Sequence, residues 1–312
     1  MLLSLLLIVF TFMELNCENM FDCQHDSMTN DTEYLPEGSR HWTWQRYYAK
    51  LNNIGREIVA CGSANGKEGL PDLVALCEVE NDTVMRDLTR RSLLKGAGYK
   101  YLMTHSQDRR GINVALLYSP LAFNPISSIS FRPQSPYPDH PLRDILYVSG
   151  LVSSGDTLHI YILHAPSKVG KAKQTERLRS LSASYLMEKI DSLRTLSPNA
   201  KVIVSGDFND YENGKTLQLL QQNGLLLASQ GATGENGAKG TYRYLGKWGS
   251  LDHILTSVPL RSAIKSCRIS APWFVLEEDR KYGGLKPKRT FIGLRYNNGF
   301  SDHLPLVMQL EW

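Results

Sequence analysis

Lys201-Val202-Ile203-Val204-Ser205-Gly206-Asp207-Phe208-Asn209 is a short apolar run that ends by delivering an aspartate and an asparagine two positions apart. Branched aliphatic residues at this density, directly after the helix stop Ser197-Pro198-Asn199, predict a buried strand over Lys201 to Ser205. Asp207 and Asn209 then stand just past its end. The same arrangement recurs elsewhere: Asn16 follows Phe10 to Leu15, Glu78 closes Leu73 to Cys77, and His164 follows Leu158 to Leu163. One carboxylate beyond a strand is ordinarily a solvated turn residue. Four strand ends carrying Asn, Glu, His and Asp instead mark one edge of a sheet as a place for metal or phosphate chemistry. Ser250-Leu251-Asp252-His253 and Ser301-Asp302-His303 flank the last strands. Because an antiparallel strand can begin at the edge where its neighbours end, all six sites can converge.

Between these points the chain alternates hairpins with strand-helix-strand passages. Cys23 to Arg40 is a polar loop, and Trp44, Tyr47, Tyr48, Leu51, Ile54 and Ile58 form a helical stripe that Gly62 can stop. Asn81-Asp82 can cap a second helix through Val84, Met85 and Leu88, ending near Gly96 or Gly98. Tyr99 to Met103 and Ile112 to Tyr118 are strand-length runs. Ile145 to Val152 faces Leu158 to Leu163 across Ser153-Ser154-Gly155-Asp156 as a hairpin, and Leu178 to Leu193 carries a longer amphipathic helix. Leu251 to Thr256 and Leu304 to Leu310 are the last strands. This mixture predicts mixed sheets in a layered α/β (α+β) domain.

A chain of 312 residues, 42% of them hydrophobic, can bury one sizeable core, so a single domain over residues 11–312 is expected. Its net charge of +4 permits attraction to polyanions without choosing a substrate. The five cysteines form no Cys-x-x-Cys pair and their number is odd, which argues against a zinc ribbon or a dense disulfide framework. Cys77 reads as a small core residue. Residues 1–10, MLLSLLLIVF, have the apolar character of a signal-peptide core without its basic flank or small-residue cleavage site. Export is the expectation and a cytoplasmic location its alternative. The run is too short for a stable membrane anchor, and part of it can simply extend the first strand.

The ordered set of Leu15-Asn16-Cys17-Glu18-Asn19, Glu78-Val79-Glu80-Asn81, Leu163-His164-Ala165-Pro166-Ser167, Ser205 to Asn209, Ser250 to Leu255 and Ser301-Asp302-His303-Leu304-Pro305 resembles a bacterial branch of the deoxyribonuclease I-like (endonuclease/exonuclease/phosphatase) superfamily. Each motif is weak alone; together and in family order they span nearly the whole chain. The resemblance implies a four-layered α/β/β/α sandwich, two mixed β-sheets flanked by helices, and a need for Mg²⁺ or Mn²⁺. It implies that Glu78 is the main metal ligand, with Asn16 and Asp302 at or near the ion, a set of hard oxygen donors that suits magnesium. Asp207 matches the carboxylate that orients or deprotonates the attacking water, with Asn209 holding phosphate or Asp207 itself. His303 matches the histidine on the scissile phosphate, Asp252 the carboxylate that orients it, and His164 a proton donor to the leaving oxygen. In the family's nucleases a carboxylate partners that last histidine, and Tyr101 to Asp108 offers no Glu at the matching place.

Arg110 and Asn113, opening the strand of Ile112 to Tyr118, are candidates to reach substrate, against the plainer reading of loop and strand-edge residues. His253 should point away from Asp252 and be structural, because strand side chains alternate. Trp42, Trp44, Tyr47 and Tyr48 fit helix packing better than a base-stacking platform. Arg280-Lys281, Lys286, Lys288 and Arg289 read as a solvated basic loop with the option of tracking a phosphate backbone. The leading expectation is a metal-dependent nuclease acting on nucleic acid or another phosphodiester, as a monomer with no protein partner implied. A phosphatase or phosphodiesterase of small-molecule or lipid phosphates is the alternative. Against its inositol form, Lys247-Trp248-Gly249-Ser250-Leu251-Asp252-His253 stands where inositol polyphosphate phosphatases carry Pro-Ala-Trp-Thr/Cys-Asp-Arg. An inactive binding protein on the same fold is more distant, since Glu78, Asp207, Asn209, Asp302 and His303 are all present.

Overall fold

A computed structural model describes residues 9–62, 69–168 and 170–311. The strands that build the two large sheets begin with β1 (Val9–Met20), β2 (Leu73–Val79), β3 (Lys100–Met103), β4 (Asn113–Tyr118) and β5 (Phe123–Phe131). They continue with β6 (Ile145–Val152), β7 (Thr157–His164), β8 (Lys201–Asp207) and β9 (Leu225–Leu227). The helices are α1 (Trp44–Gly62), α2 (Asp82–Arg90), α3 (Ala172–Leu196) and α4 (Lys215–Gln222).

One six-stranded sheet runs Ile264–Ile269, Leu306–Glu311, β1, β2, β4, β3, and the other runs β5, β6, β7, β8, Asp252–Ser257, β9. Each sheet holds one parallel pair, β1 with β2 and β7 with β8, among antiparallel neighbours. Both sheets are therefore mixed, as the alternation of hairpins and crossovers requires. Alternating side chains divide the core into layers. Phe10, Phe12, Leu73, Ala75, Leu116, Val148, Ile160, Ile162, Ile203 and Ile254 fill the space between the sheets. On the far side of the first sheet, Met13, Leu15, Val74 and Leu76 pack on Leu51, Ile54 and Ile58 of α1 and Val84 and Leu88 of α2. Behind the second, Tyr161, Val202 and Val204 pack on Leu186 and Ile190 of α3 and Leu217 and Leu220 of α4. The architecture is the expected α/β/β/α sandwich.

Asn81 caps α2 by accepting from the Val84 amide at 3.0 Å. Four details depart from the expectations. β1 does not stop at Leu15: it carries Asn16 and Glu18 within it, and its register with β2 shifts between Asn16 and Met20. β5 was not legible, because Phe123-Asn124-Pro125-Ile126-Ser127-Ser128-Ile129-Ser130-Phe131 is an edge strand whose exposed positions mix Asn124, Ile126, Ser128, Ile129 and Ser130. α4, only eight residues long, likewise has too little apolar stripe to read alone. Trp42 lies just ahead of α1, fully buried, with its indole N–H donated to the Phe21 carbonyl at 2.9 Å. The expected leader falls on residues 1–8, outside the described residues, and on Val9 and Phe10, which belong to β1. Among the described residues no helix is long and apolar enough to cross a membrane.

Candidate active site

The inward-facing rows of the sandwich change character as they approach one rim. Along β1 the row reads Phe10, Phe12, Glu14, Asn16; along β8 it reads Ile203, Ser205, Asp207; along β7, Ile160, Ile162, His164. Register then sets neighbours beside one another, since paired residues on adjacent strands share a face. His164 pairs with Asp207 across the parallel β7/β8 ladder, and Asp252 pairs with Asp207 from the antiparallel side. Gly206 is required between them: its φ is 140°, and a Cβ there would lie 1.9 Å from the Leu163 carbonyl oxygen.

Asp207 is held from three directions. The side-chain amides of Asn16 and Asn209 donate to its Oδ2 at 3.0 and 3.1 Å, and the Asn209 backbone N–H donates to Oδ1 at 2.8 Å. His164 Nε2 lies 3.5 Å from the same Oδ2 and 3.7 Å from Glu78 Oε1. His303 Nδ1 bonds Asp252 Oδ2 at 2.7 Å, and Thr241 Oγ1 donates to that oxygen at 2.5 Å. The loop bearing His303 is tied to β1, because Ser301 Oγ donates to the Asn16 carbonyl at 2.6 Å and accepts from the His303 N–H. Glu78 Oε2 accepts from the Asn19 backbone N–H at 2.8 Å, and Arg110 stands 3.9 Å from it while also bonding Asn19 Oδ1.

Burial and mutual repulsion set the charge states. Burial first, then Asp252 and Glu78, push Asp207 up to about 7, against the pull of His303 and the Asn209 amide. Burial pushes His303 down, but Asp252, its hydrogen bond, Asp207 and Asp302 together carry it well above the usual imidazole value. His164 moves the other way, because burial and the charges of Arg143, Arg110 and His303 all disfavour its cation. The shift favours its neutral form, a hydrogen-bond partner, over the protonated acid expected of it.

Two further expectations need correction. Asn113 does not face the site: its Oδ1 accepts from Thr104 Oγ1 and the Ser106 N–H, and its Nδ2 donates to the Glu80 carbonyl. It clamps a loop. Asp302 stays at the rim, with Oδ1 4.0 Å from His303 Nε2, but its Oδ2 is met at 2.8 Å by Nη2 of Arg289, whose Nε bonds Glu18 Oε1 at 3.1 Å. A guanidinium thus already balances the carboxylate expected at the metal, and Arg289 is no part of a free basic loop. His253 faces away as expected, with Nε2 bonded to the Asp210 carbonyl at 2.9 Å.

The sequence assigns no role to Glu18, Thr241 and Glu14, and it places Arg289 in a solvated loop. Glu14 sits fully buried one step below Asn16, with neither carboxylate oxygen hydrogen-bonded among the described residues. Burial, Asp252 and Asp207 raise it well above the usual carboxylate range, with His303 opposing. The two-residue period from Phe10 through Phe12 could have found it. Nothing local could have found Arg289, which lies 271 positions from Glu18.

The donor set suits a hard divalent cation. Asp207, Asp252 and His303 bring ligand atoms within 4.8 Å of one another, and the buried Asp252 Oδ1 and His164 Nδ1 have no hydrogen-bond partner among the described residues. The His303–Asp252 bond competes with that trio as a ligand set, whereas Glu78, its side chain 12% exposed, is the carboxylate best placed to meet an ion from solvent. A concentration of acids that repel one another above pH 7 is what a bound cation relieves.

A mixed two-sheet sandwich with amide-held carboxylates and an aspartate-backed histidine at one rim defines a hydrolase of phosphoester bonds. The sequence matches the model of the Endonuclease/Exonuclease/phosphatase family over residues 11–312, and the chain belongs to that family, whose enzymes use divalent metals. Among solved structures, the mannosyl-6-phosphatase of Bacteroides thetaiotaomicron VPI-5482 is similar over 97% of this chain and 100% of its own, with a TM-score of 0.66 at 17% identity. A second endonuclease/exonuclease/phosphatase family protein of Bacteroides thetaiotaomicron covers 98% of each chain at a TM-score of 0.64 and 17% identity. The catalytic domain of human Nocturnin covers 97% of this chain and 94% of its own at a TM-score of 0.58 and 18% identity. At these identities the likeness is one of fold. No curated protein matched the sequence.

Proposed function

We propose that the chain is a Mg²⁺- or Mn²⁺-dependent phosphodiesterase that cuts nucleic acid by attack of water on a backbone phosphorus. The observation that carries this reading is Asp207, buried between two amide donors and facing both the His164 ring and the Asp252–His303 pair. Asp207 takes the proton of the attacking water. Asn16 and Asn209 fix its orientation, so that the carboxylate does not reorganise during the reaction. His303, held cationic by Asp252, donates from Nε2 to the phosphoryl oxygens as they gain charge. Neutral His164 donates a hydrogen bond to phosphate or orients the water. Glu78 would hold the ion, with Asn16 beside it and Asp302 acting from the outer shell through Arg289. The bound cation would supply Lewis-acid polarisation of the phosphoryl group. Arg110, 3.9 Å from Glu78, is placed to meet a phosphate oxygen there.

A panel of supercoiled plasmid, single-stranded DNA, RNA, bis(p-nitrophenyl) phosphate and sugar and inositol phosphates, run with Mg²⁺, Mn²⁺ or EDTA, tests this. Cleavage of the polymers and the chromogenic diester, abolished by EDTA, is expected. A small-molecule phosphatase is the second reading, favoured by the fold it shares with a mannosyl-6-phosphatase. Intact plasmid alongside hydrolysis of a phosphomonoester would establish that reading instead.

A further inference from the structure

A cavity of about 200 Å³ lies beside the catalytic rim, lined in part by Arg109, Arg110, His140, Arg143 and Ser167. We propose that it is a subsite for a second phosphate group of the substrate, next to the one being attacked. This inference rests on the phosphodiesterase reading, and it sharpens the substrate class to one bearing at least two phosphates.

Arg143 joins the cavity to the catalytic centre: its Nη1 lies 3.4 Å from the carbonyl oxygens of both His164 and Ala165. Arg110 stands at the other boundary, within 3.9 Å of Glu78. A group bound here is thus one short step from the scissile position. The charges favour an anion. Three arginines face two aspartates, and the aspartates are unequal. Asp108 is tied to Arg143 at 2.9 Å with both side chains nearly buried, a fixed structural pair. Asp139 meets Arg109 at 3.3 Å with side chains 85% and 60% exposed, a contact of the kind that contributes under ~1 kcal/mol. A dianion can displace Asp139 with little loss. The His140 backbone N–H donates to the Tyr137 carbonyl at 2.9 Å, while its ring has no polar partner among the described residues and gains one when an anion arrives. Arginine forks match phosphate oxygens in pairs, which favours phosphate over a halide or a single carboxylate.

The test uses the full chain and an Arg109→Ala/His140→Ala variant, in which both altered side chains are exposed and away from the catalytic carboxylates. Bis(p-nitrophenyl) phosphate reports the basal reaction, and both proteins should hydrolyse it alike. Thymidine 5′-(p-nitrophenyl phosphate) and thymidine 3′-(p-nitrophenyl phosphate) are each compared with the same ester carrying a phosphate on the free hydroxyl. In the parent the added phosphate should lower KM at least tenfold in one of the two pairs, and the double variant should lose that gain. An equal response in parent and variant, or no response to the added phosphate in the parent, overturns the subsite.

If neither protein turns over any diester, it is the phosphodiesterase reading that fails. The subsite is then decided by calorimetric titration with inorganic phosphate in EDTA. Binding weakened at least tenfold in the variant supports it, and equal or absent binding overturns it.

Discussion

Replacing Asp252 by asparagine keeps the shape of the residue and removes its charge, which isolates what the carboxylate does for His303. The bond from His303 Nδ1 is 2.7 Å long and both groups are buried, so it belongs to the strong, charge-assisted kind. Such bonds contribute about 1.5–3 kcal/mol. At ~1.36 kcal/mol per pKa unit, the imidazolium in the variant should give up its proton roughly 1–2 pH units earlier. His303 is raised above the ordinary imidazole value in the parent. Activity that needs its cation therefore survives up to that raised value and is lost as pH climbs through it. In Asp252→Asn the alkaline limb of kcat/KM should move down by the same 1–2 units, measured with bis(p-nitrophenyl) phosphate between pH 5 and 10. The stability this pair contributes is complete below the unfolded histidine value and vanishes as pH rises through the folded one. The melting-temperature gap between parent and variant should accordingly be widest near pH 5 and narrow in alkali. A folded variant whose alkaline limb superimposes on that of the parent would refute the account of His303 as a cation held by Asp252.

Asp207→Asn should lower kcat/KM by ~10²–10⁴-fold, the range of a lost general base, with circular dichroism unchanged. Alanine is the poorer probe, because it strands the amides of Asn16 and Asn209. Turnover near that of the parent would remove Asp207 from the proposed role. Because burial raises Asp207 to about 7, the stability of the metal-free protein should fall as pH rises toward that value, and Mg²⁺ or Mn²⁺ should restore it. The rise in melting temperature on adding the cation should be larger at pH 8 than at pH 5, and a rise independent of pH would contradict it. Glu14→Gln removes a titrating group whose folded pKa is raised. Its stability relative to the parent, from urea denaturation, should grow between pH 5 and pH 8, and a gap that does not change with pH would show that Glu14 carries no such shift.

The apolar runs were readable because each strand is buried on both faces or nearly so, leaving continuous runs such as Val202 to Val204 and Leu73 to Cys77. Polar residues at their ends marked the rim for the same reason: a buried strand can carry Asp207 or Glu78 only where the sandwich opens. Pairing was not readable in this way. That Asp302 answers to Arg289 rather than to open solvent depends on a loop folding back across β1. That Asn113 clamps Thr104 and Ser106 depends on a turn whose shape no short motif encodes. The lowered pKa of His164 comes from burial and from Arg143, Arg110 and His303 on three separate segments, none of which residue type alone reveals. β5 hid because an exposed edge strand has no apolar period to display.

Glu18, Asn19, Glu78 and Asn209 have φ between 47° and 61°, half of the eight non-glycine residues with positive φ among the described residues. A side chain in that conformation costs about 1–2 kcal/mol that glycine would not incur. All four lie at the catalytic rim, on β1, at β2 and beyond β8. Glycine at Glu78, which also takes one charge out of the acidic cluster, should therefore give a protein that melts later and hydrolyses less, so selection for heat resistance alone would erode this position first.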